Sequence, residues 1–381
     1  SGGTSTNSNV MSLTTAPAPP AVVDPTSISK FSFTANWTAS TGATKYFLDV
    51  AATNGFTGTY LNGYQNLDVS NSTAYPVTGL DRGVTYYYRV RAYNSNGTSS
   101  NSGIKSALTL PPEPNVLSAS TIQSTSFSAN WSSSTGASAY YLDVSTVSNF
   151  ATFVAGWNNT NVGNVTTYSI STGLSSGSTY YYRVRAANVT GNSDNSGVIT
   201  VTTASSAPTA TAATFIEETS AGANWNASAG ADGYLLDVST VNTFASRIAG
   251  FDSKDVHNVT AYTITGLAGG STYYYRIRSY SGSRQSDNSG TITFLTKPAA
   301  SVSTASSAVL TTGFTANWNT TTSATGYNLE VSTNSGFTSY VATYGPRDVG
   351  NVTAYAVSGL TANTNYYYRV SAYNGSGTGH V

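Results

Sequence analysis

Short runs of alternating apolar and polar residues, each bounded by Gly, Asn and Ser, recur along the whole chain, and no segment sustains an apolar period of 3.6 residues. That pattern predicts half-buried β-strands of a sandwich and no amphipathic helix. At 127–131 the inward positions are Phe127, Ala129 and Trp131; at 140–144 they are Tyr140, Leu142 and Val144, with Asp143 outward. At 180–186 Tyr180, Tyr182, Val184 and Ala186 face in, and Tyr181, Arg183 and Arg185 face out. Because the side-chain period of a strand is two, this parity assigns each residue to the core or the solvent face.

The runs repeat. Ala-Asn-Trp recurs at Trp37, Trp131, Trp225 and Trp318, and Tyr-Tyr-Tyr-Arg begins at Tyr86, Tyr180, Tyr273 and Tyr366. A period near 94 residues divides the 381-residue chain into four units, each large enough to bury a core. The expected divisions are an N-terminal segment at 1–16, then repeats at 17–110, 111–204, 205–297 and 298–381. Pro-containing stretches at 16–20, 111–114, 204–208 and 297–298 follow the terminal strands and predict constrained connections.

An Ala-x-Trp strand, a Tyr-x-Leu-x-Val strand, and a Gly-Leu pair followed by a Tyr-x-Tyr-x-Val-x-Ala strand together resemble the fibronectin type III domain. The pairs are Gly79-Leu80, Gly173-Leu174, Gly266-Leu267 and Gly359-Leu360. The resemblance covers nearly the whole chain, four times over. It implies an all-β chain of four tandem seven-stranded sandwiches. The hydroxyls of Tyr86, Tyr180, Tyr273 and Tyr366 would bond back to the backbone at a tyrosine corner. The style is similar to repeats of secreted and surface proteins of bacteria, and the fold fixes no single function.

The fourth repeat lacks its own final strand. Repeats one to three close with segments opening at Asn101, Asn195 and Asn288, and the matching segment stands instead at residues 7–15, in phase with the period. Val10, Met11, Leu13 and Thr15 form the expected donor strand, with Met11 and Leu13 inward and Thr15 or Asn9 at the rim. Tyr366, Tyr368, Val370 and Ala372 form the expected acceptor groove. Repeat one departs in parity, with Lys105 and Ala107 where Met11 and Leu13 align.

An unpaired edge of this kind calls for cover. Two or three buried apolar side chains are worth roughly 1.5–3 kcal/mol each. The expectation is a structural subunit polymerising head-to-tail with other copies of itself, by strand addition like that of pilins. Two readings stand beside it: a window of a longer repeat protein, and a strand closing on its own fourth repeat. The functional alternative is a spacer, glycan-binding or adhesin-stalk segment of a larger secreted bacterial protein.

Composition narrows the partners. With 16 basic and 16 acidic residues the net charge is zero, which gives no case for nucleic acid. No apolar run is long enough to span a membrane as a helix. The chain has no cysteine, so disulfides and thiol chemistry are excluded. The Ser/Thr/Asn-rich surface reads as extracellular, and no cofactor or metal is expected.

Catalytic signals are weak throughout. His257 and His380 do not recur, Glu217-Glu218 reads as a solvated turn, and no paired-carboxylate or triad pattern repeats. The chain is therefore not read as an enzyme. Asp49, Asp143, Asp237 and Glu330 face outward beside Arg89/Arg91, Arg183/Arg185, Arg276/Arg278 and Arg369 and predict exposed cross-strand ion pairs. The Leu-Asp-Val triplet at 142–144 has its Leu and Val in the core. Tyr64, Trp157, Phe251 and Tyr344 share one register position. Core packing is the first reading there, with a polysaccharide-stacking platform or a lateral contact as the other. Asn-x-Thr sequons at Asn164, Asn258 and Asn351 also recur in register.

Overall fold

The structure, a computed structural model, describes residues 2–3, 9–58 and 60–381. Repeat one sets the pattern. Its strands are β1 (Val22–Thr26), β2 (Ser32–Trp37), β3 (Lys45–Ala51), β4 (Leu67–Asp68), β5 (Ala74–Thr78), β6 (Thr85–Asn94), β7 (Gly97–Thr98) and β8 (Lys105–Leu108). One sheet runs β1-β2-β5. The other runs β4-β3-β6-β7, with β8 also paired to β6, and every pairing is antiparallel.

The two sheets meet along the inward parity. Phe33, Ala35 and Trp37 of β2 pack with Tyr46, Leu48 and Val50 of β3 and with Tyr86, Tyr88, Val90 and Ala92 of β6. The Trp37 and Tyr46 rings lie 5.9 Å apart, and the same Trp–Tyr contact recurs at 5.7–5.8 Å in the other three repeats. Repeats two and three reproduce all eight strands. Repeat four has one strand fewer: nothing among the described residues pairs with the outer edge of Tyr367–Asn374 where β8 would stand.

The tyrosine corners are in place. The hydroxyls of Tyr86, Tyr273 and Tyr366 accept the backbone N–H groups of Asp81, Ala268 and Thr361, each at 2.9 Å. The chain divides into two compact units, one carrying the first two sandwiches and the other the last two.

Candidate strand-acceptor groove

In a complete repeat β8 covers the start of β6. Thr85 faces Leu108, Tyr86 faces Ala107, Tyr87 faces Ser106 and Tyr88 faces Lys105. Ala107 and its counterparts Val201 and Phe294 are buried. The next inward residue is a threonine, Thr109, Thr203 or Thr296, and it is at most 1% exposed. Its hydroxyl accepts the N–H of Val84 at 3.0 Å and donates to the carbonyl of Asp81 at 2.8 Å. Thr203 makes the same two bonds to Ser178 and Ser175, and Thr296 to Ser271 and Ala268. This threonine is a latch that ties the last strand to the turn before β6.

Repeat four lacks both strand and latch among the described residues. Tyr366, Tyr368 and Phe314 are half-buried, whereas their counterparts Tyr86, Tyr88 and Phe33 are fully enclosed. The strand Tyr367–Asn374 starts two residues later in register than β6, because its first residues have no partner on that side. The strand Ser303–Leu310 is exposed along its full length. Between these elements lies a cleft of about 410 Å³ bordered by Val309, Leu310, Phe314, Leu360, Tyr366 and Tyr368.

Two of the four named groove residues have enclosed side chains. Val370 and Ala372 are buried at 1% and 0%, because they pack with Ala316, Trp318 and Leu329 inside the sandwich. In the complete repeats β8 itself ends at the third Tyr of β6, but the residue three before it still bonds the same edge, the Ser102 N–H donating to the Val90 carbonyl at 2.9 Å, so the open backbone edge runs from Tyr366 to Val370 while only Tyr366 and Tyr368 offer open side chains.

The other half of the expectation is the N-terminal segment, of which Asn7 and Ser8 lie outside the described residues. Val10, Met11 and Leu13 are 98%, 87% and 89% exposed and belong to no strand. Thr15 is anchored. Its carbonyl accepts the Asn94 side chain at 3.1 Å, as the Thr109 carbonyl accepts Asn188 at 2.8 Å and the Thr296 carbonyl accepts Asn374 at 2.9 Å. Thr15 thus meets repeat one just as the latch residue of one sandwich meets the next. Its register position is the latch, where the sequence parity suggested a rim. The departure at Lys105 is met in register: Ala107 faces in, and the Lys105 ammonium turns out to Asp24 at 2.7 Å.

One other surface is corrected. Asp49, Asp143 and Asp237 are 1–2% exposed, and Glu330 is 6%. The loop after β3 folds back over them. Asp143 accepts Arg183 at 2.9 Å, Arg185 at 3.2 Å and the Asn159 N–H at 2.6 Å. A loop phenylalanine with positive φ then covers the arginine in every repeat: Phe56 over Arg89, Phe150 over Arg183, Phe244 over Arg276 and Phe337 over Arg369, at 4.1–4.3 Å.

The aromatic register position is core. Trp157, Phe251 and Tyr344 are 4–7% exposed and Tyr64 is half-buried. The Tyr64 and Tyr344 hydroxyls accept the N–H groups of Thr78 and Ser358, and the Trp157 indole donates to Thr172.

Burial also raises the pKa of the Tyr88, Tyr182 and Tyr275 hydroxyls, which donate to the carbonyls of Val23, Leu117 and Thr211. His257 is exposed beside Asp255, and Glu217 pairs with Lys297. No group of three metal-ligating side chains gathers among the described residues.

The family model described as fibronectin type III domain matches residues 18–106, 111–202, 206–294 and 299–381. Exoglucanase B of Cellulomonas fimi is 30% identical over 301 residues, 73% of this chain and 25% of that protein. A Kelch domain-containing protein of Saccharolobus solfataricus is 54% identical over 50 residues, 13% of this chain and 7% of that one. The chain therefore spans a quarter or less of the length of these relatives. Among solved structures, that of the chicken CNTN1 FN1–FN3 domains is 16% identical with a TM-score of 0.29, covering 74% of this chain and 99% of that one. Among the described residues no helix is long and apolar enough to cross a membrane.

Proposed function

The chain belongs to the fibronectin type III family, a non-catalytic structural fold whose tandem architecture is consistent with an extracellular or cell-surface protein, and from that premise we propose that it is a spacer or adhesion-stalk module of a larger secreted protein. The observation that carries this reading is the repeated junction, in which an asparagine at the end of the β6-type strand holds the last threonine carbonyl of the sandwich before it. The junction between repeats one and two is also close-packed. A Cβ on Gly83, whose φ is +69°, would lie 2.0 Å from the Thr135 carbonyl oxygen. Such contacts fix neighbours more tightly than a flexible linker does. The likeness to part of an exoglucanase suggests a polysaccharide-degrading enzyme as one setting for the module.

The absence of cysteine makes the test direct. Spin labels on Thr41→Cys and Ser148→Cys, both exposed, report the distance between repeats one and two. The spacer reading expects a narrow distance distribution that broadens on Asn188→Ala. A broad distribution in the parent chain refutes it.

The open edge of repeat four favours a second reading, a homopolymer in which residues 7–15 of one copy complete the fourth sandwich of the next. By register Leu13 would sit over Tyr366, Met11 over Tyr368, and Thr15 would meet Thr361 and Thr364, the counterparts of Asp81 and Val84. A peptide of residues 7–15 should then slow amide exchange at Tyr366–Tyr368, and its Leu13→Asp form should not. Equal exchange with both peptides rules the reading out.

A further inference from the structure

At one register position all four repeats carry an Asn-x-Thr sequon: Asn71-Ser-Thr73, Asn164-Val-Thr166, Asn258-Val-Thr260 and Asn351-Val-Thr353. All four asparagines, and the threonines two residues on, are exposed. Each lies in the turn that joins the β4-type strand to the β5-type strand. No hydrogen bond engages their side-chain amides among the described contacts, so the fold gives these residues no task.

Three sequons on or beside the core strands behave differently. The amides of Asn36, Asn130 and Asn188 donate to the carbonyls of Asp24, Ser118 and Thr109, at 3.1, 2.9 and 2.8 Å. Those side chains are half-buried and already committed to holding strands together.

We propose that Asn71, Asn164, Asn258 and Asn351 are N-glycosylation sites, one per sandwich. The sequon supplies the acceptor amide and, two residues on, the hydroxyl that a transferring enzyme reads, and both require an accessible loop. The donor is a saccharide activated as a glycosyl diphosphate. The asparagine Nδ2 bonds to the anomeric carbon, the C1–O bond to the diphosphate breaks and its electron pair leaves with the diphosphate. One Nδ2 proton passes to the enzyme's base.

The position gives the glycan a physical role. The β4-type and β5-type strands are edges of their two sheets. Edges are ordinarily guarded by charge, and only 8% of this chain is charged. A bulky hydrated group at the turn between both edges blocks edge-to-edge pairing without adding charge. This inference is independent of the spacer and homopolymer readings.

The test is glycopeptide mass spectrometry on protein isolated from the organism that makes it. Glycan is expected on at least three of the four turn asparagines and absent from Asn36, Asn130 and Asn188. Occupancy at two or fewer of the four, or equal occupancy at the committed asparagines, overturns the proposal. In that host Asn164→Gln and Thr166→Ala should each abolish modification at that turn alone, and retention of glycan in Thr166→Ala also overturns it.

Discussion

Replacing Thr109 by valine keeps the shape of the latch and removes only its hydroxyl. The side chain is fully buried, and its two bonds, at 2.8 and 3.0 Å, engage the Asp81 carbonyl and the Val84 N–H. Each group left without a partner costs about 1–3 kcal/mol when buried. Asp81 is exposed and Val84 half-buried, so water relieves part of the loss and about 2 kcal/mol remains. Because 1.4 kcal/mol is tenfold, opening of β8 from β6 should become roughly 30 times more frequent. Hydrogen exchange of the whole chain reads this locally: amides of Thr85–Asn94 should speed up, while Thr179–Asn188 serves as the internal reference. Thr109→Ser, which restores the hydroxyl, should recover most of the protection. A valine effect below about 0.5 kcal/mol, the size of an ordinary surface change, would refute the latch. So would a serine variant as open as the valine one.

Three further outcomes follow from the same geometry. Asp143→Ala leaves Arg183 and Arg185 without their carboxylate and should cost about 3 kcal/mol, the low end for a broken buried pair since both arginines keep contact with water; urea titration followed by tryptophan fluorescence measures it. Trp157→Ala should destabilise repeat two by about 3–5 kcal/mol yet leave migration in polysaccharide-containing gels unchanged, since the ring is buried. The raised pKa values of Tyr88, Tyr182 and Tyr275 mean that the folded state holds their protons more tightly than the unfolded chain. Their contribution is therefore complete below the ordinary tyrosine value of 10.0 and is lost as pH rises through the higher folded values. Melting temperature should fall more steeply above about pH 10 in the parent chain than in a Tyr88→Phe, Tyr182→Phe, Tyr275→Phe variant, and parallel curves would contradict this.

The sandwich was legible because its information is local and periodic. The parity of Phe127–Trp131 and of Tyr180–Ala186 places the same side chains inward that the structure buries. The vacancy in repeat four was legible for the same reason, as a break in the period. What the pattern hides is where loops travel. Asp143 alternates outward correctly, but nothing in strand periodicity says that the loop through Phe150 and Asn159 returns to bury it. Depth along an edge is hidden too. Val370 and Ala372 share the parity of Tyr366, yet their side chains are enclosed by the sandwich without any last strand. The latch left a trace in the sequence, a threonine closing each terminal segment at Thr15, Thr109, Thr203 and Thr296, but a rim threonine and a buried one look alike until the turn it meets is placed.

Thr109, the threonine that follows β8, faces two ways. Its side chain secures its own sandwich, and its carbonyl is held by the asparagine of the sandwich that follows. Loosening Thr109 therefore removes a contact from repeat two as well as from repeat one, and a load that strips β8 from repeat one passes through the residue on which Asn188 rests. Repeats one and two are thus coupled in part through this residue, so the loss of order in one should be felt by the other, as between nearest neighbours in a repeat array. Under tension such an array yields link by link.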